Sequence, residues 1–319
     1  MTRYIVRRLL ATIPVLFLVT VVVFSLINLV PGDPALVIAG GEADRAAIEA
    51  IRKQLGLDRP VVVRYVQWLG RLVQGDFGRS VRDGRPVLDV LLLKLPVTVE
   101  LAVISLGVGW AIAVPAGVLA AWKQRTALDY TATTVALAGI SIPNFWLGIM
   151  LIYLLAVNLR WLPPSGYVEP WVDPVRNLQL MIMPATVLGT ALAALVMRLL
   201  RSSMLEVLGS EFIRTAHAKG LAERAVVLKH ALKNAMIPVA TVMGLQLGGL
   251  LGGAVVTETI FAVPGIGRLA IESIFTRDYP MVQGVVLISA VAVVFVNFAV
   301  DVLYSVLDPR IRLVEEPRA

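Results

Sequence analysis

The 319-residue sequence contains no cysteine and only two histidines, and 16% of its residues are charged. Without cysteine the chain forms no disulfide and no thiolate metal site. His217 and His230 lie in one polar segment, so no histidine ligand falls within an apolar run. The absence of any Gly-Lys pair excludes the phosphate-binding loop of P-loop ATPases. Since no nucleophile stands at a suitable spacing from a general base, we expect no enzyme activity, no metal site and no cofactor in this chain.

Apolar residues dominate the sequence, at 58% of the chain with a mean hydropathy of +0.81. This composition excludes an ordinary soluble domain. A helix needs about 20 apolar residues to cross a hydrocarbon core about 30 Å thick. Six segments meet this requirement and predict an all-α membrane protein: 9–30, 98–121, 131–157, 181–200, 236–256 and 282–307. The first is too long for a signal peptide and lacks a cleavage site, so we interpret it as a retained span.

The distribution of basic residues predicts the orientation in the membrane. The two ends and the loops 122–130 and 198–235 carry 15 Lys and Arg, whereas the short loops 158–179 and 258–282 carry 4. Cytoplasmic loops are the ones enriched in Lys and Arg. We therefore expect a multi-pass membrane protein, in contact with lipid, with both termini in the cytoplasm. The net charge of +7 then reflects topology, and nucleic acid is not an expected partner.

The chain divides into four predicted parts. Residues 1–30 are a cytoplasmic tail and the first span, 31–97 a small helical extracytoplasmic domain, 98–307 a five-helix core, and 308–319 a cytoplasmic tail. In the extracytoplasmic domain, helical spacing predicts helices that end at Gly56 and Gly75, a turn at Asp83-Gly84, and a third helix leading into the second span. Such short helices bury little alone, so the domain either packs on the bundle and meets a soluble partner or is a solvated cap.

A polar segment, residues 210–238, interrupts the apolar chain before the fifth span. Residues 211–219 are expected to form a short helix with Phe212 and Ala216 on one side, ended by Gly220. A second helix begins at Ala222 and continues into the span. A short helix of this kind commonly lies in a groove of a soluble partner. The alternative is a solvated basic loop.

Charged residues are rare inside the predicted spans, where Asp301 is the main exception and Glu100 lies near an outer end. Ion-driven carriers use intramembrane charges for coupling. We expect Asp301 to form a structural ion pair with Arg198 or Arg201 rather than to relay protons. The sequence therefore favours a transporter driven by another chain, with an ion-coupled carrier or a non-transport scaffold as alternatives.

The polar segment resembles the ATPase-coupling loop (here 201–235) of ABC importer permeases for dipeptides, oligopeptides, glutathione and nickel. The general pattern is Glu-Ala-Ala, three residues, Gly, then Ile-x-Leu-Pro. The first glutamate and the proline are missing here, as they are in the peptide branch. Further matching motifs cover nearly the whole chain: LVPGDPA, GDFGRS, PVTVELA, SIPNFWLG, LPPSGY, ETIFAVPGIGRL with RDYPMVQG, and DPRIR.

The resemblance implies the six-helix ABC type I importer permease fold and binding-protein-dependent transport across the bacterial cytoplasmic (inner) membrane. The implied partners are a second homologous permease subunit, two ATP-binding subunits that carry ATP and Mg, and an extracytoplasmic substrate-binding protein. Dipeptides, oligopeptides and glutathione are the implied substrate class, with nickel or another small solute as the alternative. The implied ATPase-coupling residues are Glu211, Phe212, Arg214, Thr215, Ala216, Lys219 and Gly220.

Two further groups of residues are candidates for the pathway and for docking. Pro143 inside the third span either kinks it toward a pathway or bends a packing helix. Small-xxx-small rows in the fifth span favour packing against a second permease subunit, with a gate as the alternative; these rows are Gly244, Gly248, Gly252 and Gly249, Gly253. The pathway candidates are Ser141, Pro143, Asn144, Gln246 and Gly248, and the binding-protein docking candidates are Glu258, Pro264, Gly265 and Gly267.

Overall fold

The computed structural model describes residues 2–29, 44–54 and 58–307. This part of the chain is helical and contains no strand; Arg79 and Pro86 form an isolated β-bridge. The helices are α1 (Thr2–Leu29), α2 (Arg45–Gln54), α3 (Val61–Val73), α4 (Val87–Trp122), α5 (Ala127–Ser141), α6 (Asn144–Leu151), α7 (Pro174–Leu208), α8 (Glu211–Ala218), α9 (Glu223–Ala225), α10 (Leu232–Gly253), α11 (Val255–Ile260), α12 (Ile266–Phe275) and α13 (Tyr279–Leu307). A π-helix, Ile152–Asn158, continues α6, and a second, Val226–Ala231, joins α9 to α10.

The all-α class is confirmed, and the helices coincide with the predicted apolar segments. Among the described residues, three helical stretches are long and apolar enough to cross a membrane: Ile5–Ser25, Pro174–Leu208 and Tyr279–Val302. Helices α5 and α6 with its π-helical continuation would make a fourth span if taken together. Helices α4 and α10 cover the predicted second and fifth spans. The count of six spans therefore stays a prediction.

The third predicted span, 131–157, is not one straight helix. It is divided into α5 and α6, whose axes differ by 101° at a short break. Pro143 precedes α6 and lacks the N–H that a continuous helix would require there. The bend expected at Pro143 within the third predicted span is therefore present, and a single broken span formed by the two helices stays a prediction.

The segment between α1 and α4 packs on the first helix through aromatic side chains. The hydroxyls of Thr20 in α1 and Tyr65 in α3 lie 2.8 Å apart, and the ring of Phe24 contacts both Tyr65 and Trp68. Gly75 and Gly84 both have positive φ, as expected of a helix stop and a turn. The predicted third helix is the first part of α4. The PGDP break at 31–34, the stop at Gly56 and the DPRIR motif lie outside the described residues.

Helices α4 and α7 form the centre of the bundle, and glycine permits their close approach. A Cβ at Gly189 would lie 2.8 Å from the carbonyl oxygen of Ser105, and one at Gly117 would lie 3.0 Å from that of Met197. A Cβ would not fit at Gly189 without a backbone shift, and at Gly117 it would be tighter than nearly all real Cβ contacts. Glycine at these positions therefore lets the two backbones come close.

Buried side chains form three clusters along the length of α4. The cluster at its C-terminal end joins α4, α7, α8 and α10, and the middle cluster joins α4 and α7 to the end of α10 and to the residues that flank α11. The cluster at its N-terminal end joins α4 to α12 and α13. The polar segment and the loop after α11 therefore lie at opposite ends of one packed bundle.

Candidate functional site

The short helix α8 has one face in the bundle and one face in solvent. Ile213 is 1% exposed and Ala216 7% exposed, whereas Phe212 is 47% exposed. The expectation that Phe212 and Ala216 share a side was wrong, because Ile213 is the residue buried together with Ala216. Phe212 instead lies on the accessible face, where a large apolar side chain is available to a partner.

The buried face of α8 belongs to the core cluster of that end. Ile213 and Ala216 lie in it with Val226, Val227 and Ala231, and with residues of α4 and α7. Gly220, after the helix, has φ +76°, which favours glycine, and no atom lies within 4 Å of where its Cβ would be. The predicted break between two helices at Gly220 is therefore present. The two helices form an elbow around Gly220, and both of its arms are packed on the bundle.

A side-chain hydrogen bond ties the second arm of the elbow to the end of α4. The indole Nε1–H of Trp122 donates to Oε1 of Glu223 at 2.6 Å. The ammonium of Lys123 lies over the Trp122 ring, 5.5 Å from its centroid. On the exposed face, Arg214 pairs with Glu211 at 2.8 Å. Of the remaining coupling candidates, Thr215 donates to the carbonyl oxygen of Glu211, and Lys219 ends the helix.

A buried ion pair that the sequence did not predict joins the start of α5 to α7. Arg201 donates from Nε to Oδ1 of Asp129 at 2.6 Å and from a terminal nitrogen to Oδ2 at 2.8 Å. The backbone N–H of Arg125 donates to the same carboxylate at 3.0 Å. Asp129 is 3% exposed. Two parallel hydrogen bonds give a fixed geometry, so this pair holds the loop after α4 against the helix that leads into α8.

Asp301 does not pair with Arg198 or Arg201, and that expectation was wrong. The Asp301 carboxylate lies 2.9 Å from a terminal nitrogen of Arg8 in α1, while Arg201 forms its ion pair with Asp129. The expectation that Asp301 forms an ion pair is confirmed with a different cation. Glu100 accepts a hydrogen bond from the hydroxyl of Tyr167 at 2.8 Å.

The predicted pathway residues Ser141, Pro143 and Asn144 stand at the bend between α5 and α6, where all three are exposed. The hydroxyl of Ser141 donates to the carbonyl oxygen of Leu137 at 3.0 Å, so it is satisfied within its own helix. Gln246 in α10 is half-buried. A role for these residues in a pathway stays a prediction.

The first glycine row of α10 packs within the chain and not against a second subunit. A Cβ at Gly244 would overlap Val300 of α13, and one at Gly248 would lie 3.4 Å from Oδ1 of Asn297. At Gly249, in the second row, no atom lies within 4 Å. The inter-subunit interpretation was therefore wrong for Gly244 and Gly248 and stays a prediction for Gly249. The side chains at 251–253 lie outside what the structure describes.

Glu258, predicted to contact a binding protein, is fully buried. It accepts hydrogen bonds from Oγ1 of Thr98 at 2.7 Å and from the backbone N–H groups of Arg268, at 2.8 Å, and Gly267. These N–H groups belong to the first turn of α12. The N–H groups of a first turn have no acceptor within their own helix, so an acid placed there is favoured. Burial raises the pKa of Glu258, and the three donors oppose that rise. Glu258 therefore fixes the loop from inside and offers no docking surface itself.

The other docking candidates surround that carboxylate. A Cβ at Gly265 would collide with the Glu258 carboxylate and with Thr98, and one at Gly267 would lie 2.8 Å from the Cα of Val255. Gly265 is buried, whereas Pro264 and Gly267 are half-buried. The glycines are thus required by close packing in the loop, and only part of it reaches the surface.

A second buried acid, Asp278, joins the segment between α3 and α4 to the same region. Asp278 accepts hydrogen bonds from the hydroxyl of Ser80 and from the backbone N–H of Val81. Asp278 is 4% exposed and Ser80 5% exposed. The turn around Asp83-Gly84 is therefore held on the loop between α12 and α13.

Comparison with known proteins places the chain in a transport family. Residues 113–313 match the model of the binding-protein-dependent transport system inner membrane component, and residues 1–102 match the model of its N-terminal region. The dipeptide transport system permease protein DppB of Alkalihalophilus pseudofirmus is 43% identical over 98% of this chain and 100% of that protein. The glutathione transport system permease protein GsiC of Escherichia coli K12 is 44% identical over 98% of this chain and 99% of that protein.

A solved structure supports the fold. A chain of the MetNI methionine ABC transporter in inward-facing conformations superposes with a TM-score of 0.57 over 69% of this chain and 96% of that chain, at 19% identity. That identity supports the fold alone. The family matches and the two relatives together establish that the chain belongs to the binding-protein-dependent transport system inner membrane components, the permease subunits of ABC importers.

Proposed function

We propose that this chain is the permease subunit of an ATP-driven importer for peptides or peptide-like solutes of the dipeptide, oligopeptide and glutathione class. The observation that carries the mechanism is the position of α8, which has Ile213 and Ala216 in the bundle core and Phe212 exposed. A soluble ATPase that binds the exposed face thereby holds a helix that cannot move without the bundle. The names of the DppB and GsiC relatives support the substrate class.

The energy source is proposed to be outside the chain. Asp301 and Asp129, two acids of the long helices, form ion pairs with arginine. A carboxylate that is already engaged by an arginine offers no open position to a coupling ion. A bundle with such pairs is moved by a partner, and ATP on that partner shifts the bundle only if the ATPase binds one conformation better than the other.

The proposed assembly contains this chain, a second homologous permease subunit, two ATP-binding subunits that hold ATP and Mg, and an extracytoplasmic binding protein. The chain supplies one copy of α8, which suits one ATPase subunit. The second permease would supply the other contact. The termini and α8 are proposed to face the cytoplasm, in agreement with the distribution of Lys and Arg.

Reconstitution of the assembly in proteoliposomes tests this proposal. We expect uptake of a labelled dipeptide or of glutathione that requires ATP inside and binding protein outside and that survives dissipation of the ion gradients. Uptake that follows a proton or sodium gradient in the absence of ATP would refute the proposal.

A substitution on α8 tests the proposed ATPase contact. Phe212→Ala should release ATPase subunits from the purified complex without loss of folded permease, since Phe212 has little contact with the core. Phe275→Ala is the matched control, because Phe275 is also exposed, at 82%, but lies at the end of α12. Equal ATPase retention by the two variants would contradict the proposed contact.

A further inference from the structure

A small cavity of about 180 Å³ opens beside the loop that Glu258 fixes. Its lining comes from α4 and from the loop and helix after α11: Lys94, Pro264, Gly265, Arg268, Leu269 and Glu272. We propose that this cavity receives an acidic side chain of the extracytoplasmic binding protein, with Lys94 as its counter-charge. This inference rests on the proposed function, because it specifies how the binding protein docks.

The charges around the cavity leave Lys94 without a counter-charge. Arg268 donates from Nε to Oε1 of Glu272 at 2.8 Å, so these two side chains neutralise each other. The carboxylate of Glu258 is engaged by backbone N–H groups of α12 and by Thr98. Lys94 is half-buried and pairs with no acid among the residues that the structure describes. A half-buried ammonium group attracts a carboxylate more strongly than a fully solvated one does.

The cavity is large enough for one amino-acid side chain but too small for a free solute. Small-molecule sites usually enclose about 300–1,000 Å³, more than this cavity provides. An aspartate or glutamate side chain on a protein surface needs less room than a dipeptide. The wall is also fixed before binding, because Gly265 packs on the Glu258 carboxylate. A fixed wall lowers the ordering cost of docking.

The position of the cavity favours an extracytoplasmic partner over a cytoplasmic one. Helix α4 leads from Lys94 to Trp122, roughly 40 Å along the axis at about 1.5 Å per residue, and Trp122 is bonded to Glu223 of the polar segment. The cavity and α8 thus lie at opposite ends of the bundle, separated by more than a hydrocarbon core of about 30 Å. With the ATPase at α8, the cavity faces the compartment that contains the binding protein.

The test uses the complete transporter in lipid nanodiscs with its binding protein. The Kd of the binding protein and the ATPase rate that it stimulates are measured for wild type, Lys94→Gln, Lys94→Glu and Lys94→Arg. We expect Lys94→Gln to raise the Kd about tenfold, as for loss of one charge-assisted hydrogen bond. Lys94→Glu should raise it further, and Lys94→Arg should stay near wild type. Arg176→Gln is the matched control, since it removes an exposed cation at the start of α7, outside the cavity.

Each outcome separates the inference from the proposed function. Failure of the binding protein to stimulate wild type would refute the proposed function. If the binding protein stimulates the ATPase of wild type but its Kd is unchanged in the Lys94 variants, only the cavity inference is overturned. The same holds if Arg176→Gln raises the Kd as much as Lys94→Gln does. Normal docking with impaired uptake in Lys94→Glu would assign the cavity to substrate and also overturn it. Restoration of Lys94→Glu by an acid-to-lysine change in the binding protein would identify the inserted side chain.

Discussion

The Asp129–Arg201 pair provides the sharpest test of how this bundle is held together. In the pair, the Asp129 side chain is 4% exposed and that of Arg201 28% exposed. Asp129→Ala leaves the arginine without its counter-charge and the N–H of Arg125 without an acceptor. Breaking a buried pair by removal of one partner costs about 3–5 kcal/mol. Because Arg201 keeps some solvent contact, we expect the lower end, about 3 kcal/mol.

Thermal unfolding of the purified complex in detergent measures this loss. With an unfolding entropy of about 2.1 cal/mol/K per residue, the Tm of a 319-residue chain shifts by about 1.5 °C per kcal/mol. Asp129→Ala should therefore lower Tm by roughly 4–5 °C. The double variant Asp129→Leu with Arg201→Met should lose less than either single variant, because it buries no unpaired charge. Asp83→Ala is the control, since it breaks an exposed pair with Arg85 and should change Tm little. A shift for Asp129→Ala no larger than the control's, or losses that add in the double variant, would refute the reasoning.

Two further predictions concern glycines. Gly220→Val should lower solute uptake per ATP hydrolysed while the permease still assembles, because φ +76° costs a β-branched residue about 1–2 kcal/mol and distorts the elbow; an unchanged ratio of uptake to hydrolysis in proteoliposomes would contradict this. Gly244→Val should lower the Tm of the complex because it overlaps Val300, whereas Gly249→Val, which meets no atom of the described residues within 4 Å, should not. Similar shifts for both would show that α10 and α13 do not pack as described. Loss of the second permease from Gly249→Val alone would place that row at the subunit interface.

Features that depend on local sequence were predictable. The length of the apolar segments predicted the positions of the helices. Proline and glycine residues predicted where the helices end or bend. Pro143 stands at the 101° bend, and Gly75, Gly84 and Gly220 have positive φ. In each case the physical cause lies within a few residues of the chain, which the sequence displays directly.

Features that depend on which helices are neighbours were not predictable. Asp301 pairs with Arg8, from the other end of the chain, and the pairing of Asp129 with Arg201 depends on α5 lying against α7. A small-xxx-small row indicates that a helix comes close, but not which one, so Gly244 was assigned to a second subunit although it contacts α13. Glu258 was predicted to lie in a loop that docks a binding protein, and its burial follows from the start of α12, whose backbone N–H groups bind its carboxylate.

Helix α4 contributes Lys94 to the outer cavity and Trp122 to the bond with Glu223. One continuous element therefore ends at both of the places where partners are proposed to bind. Any reorientation of α4 therefore changes both proposed partner sites at once. Coupling between two binding sites is reciprocal. If nucleotide binding on the proposed ATPase changes the affinity of the permease for the binding protein, binding of that protein must change the affinity for nucleotide by the same factor.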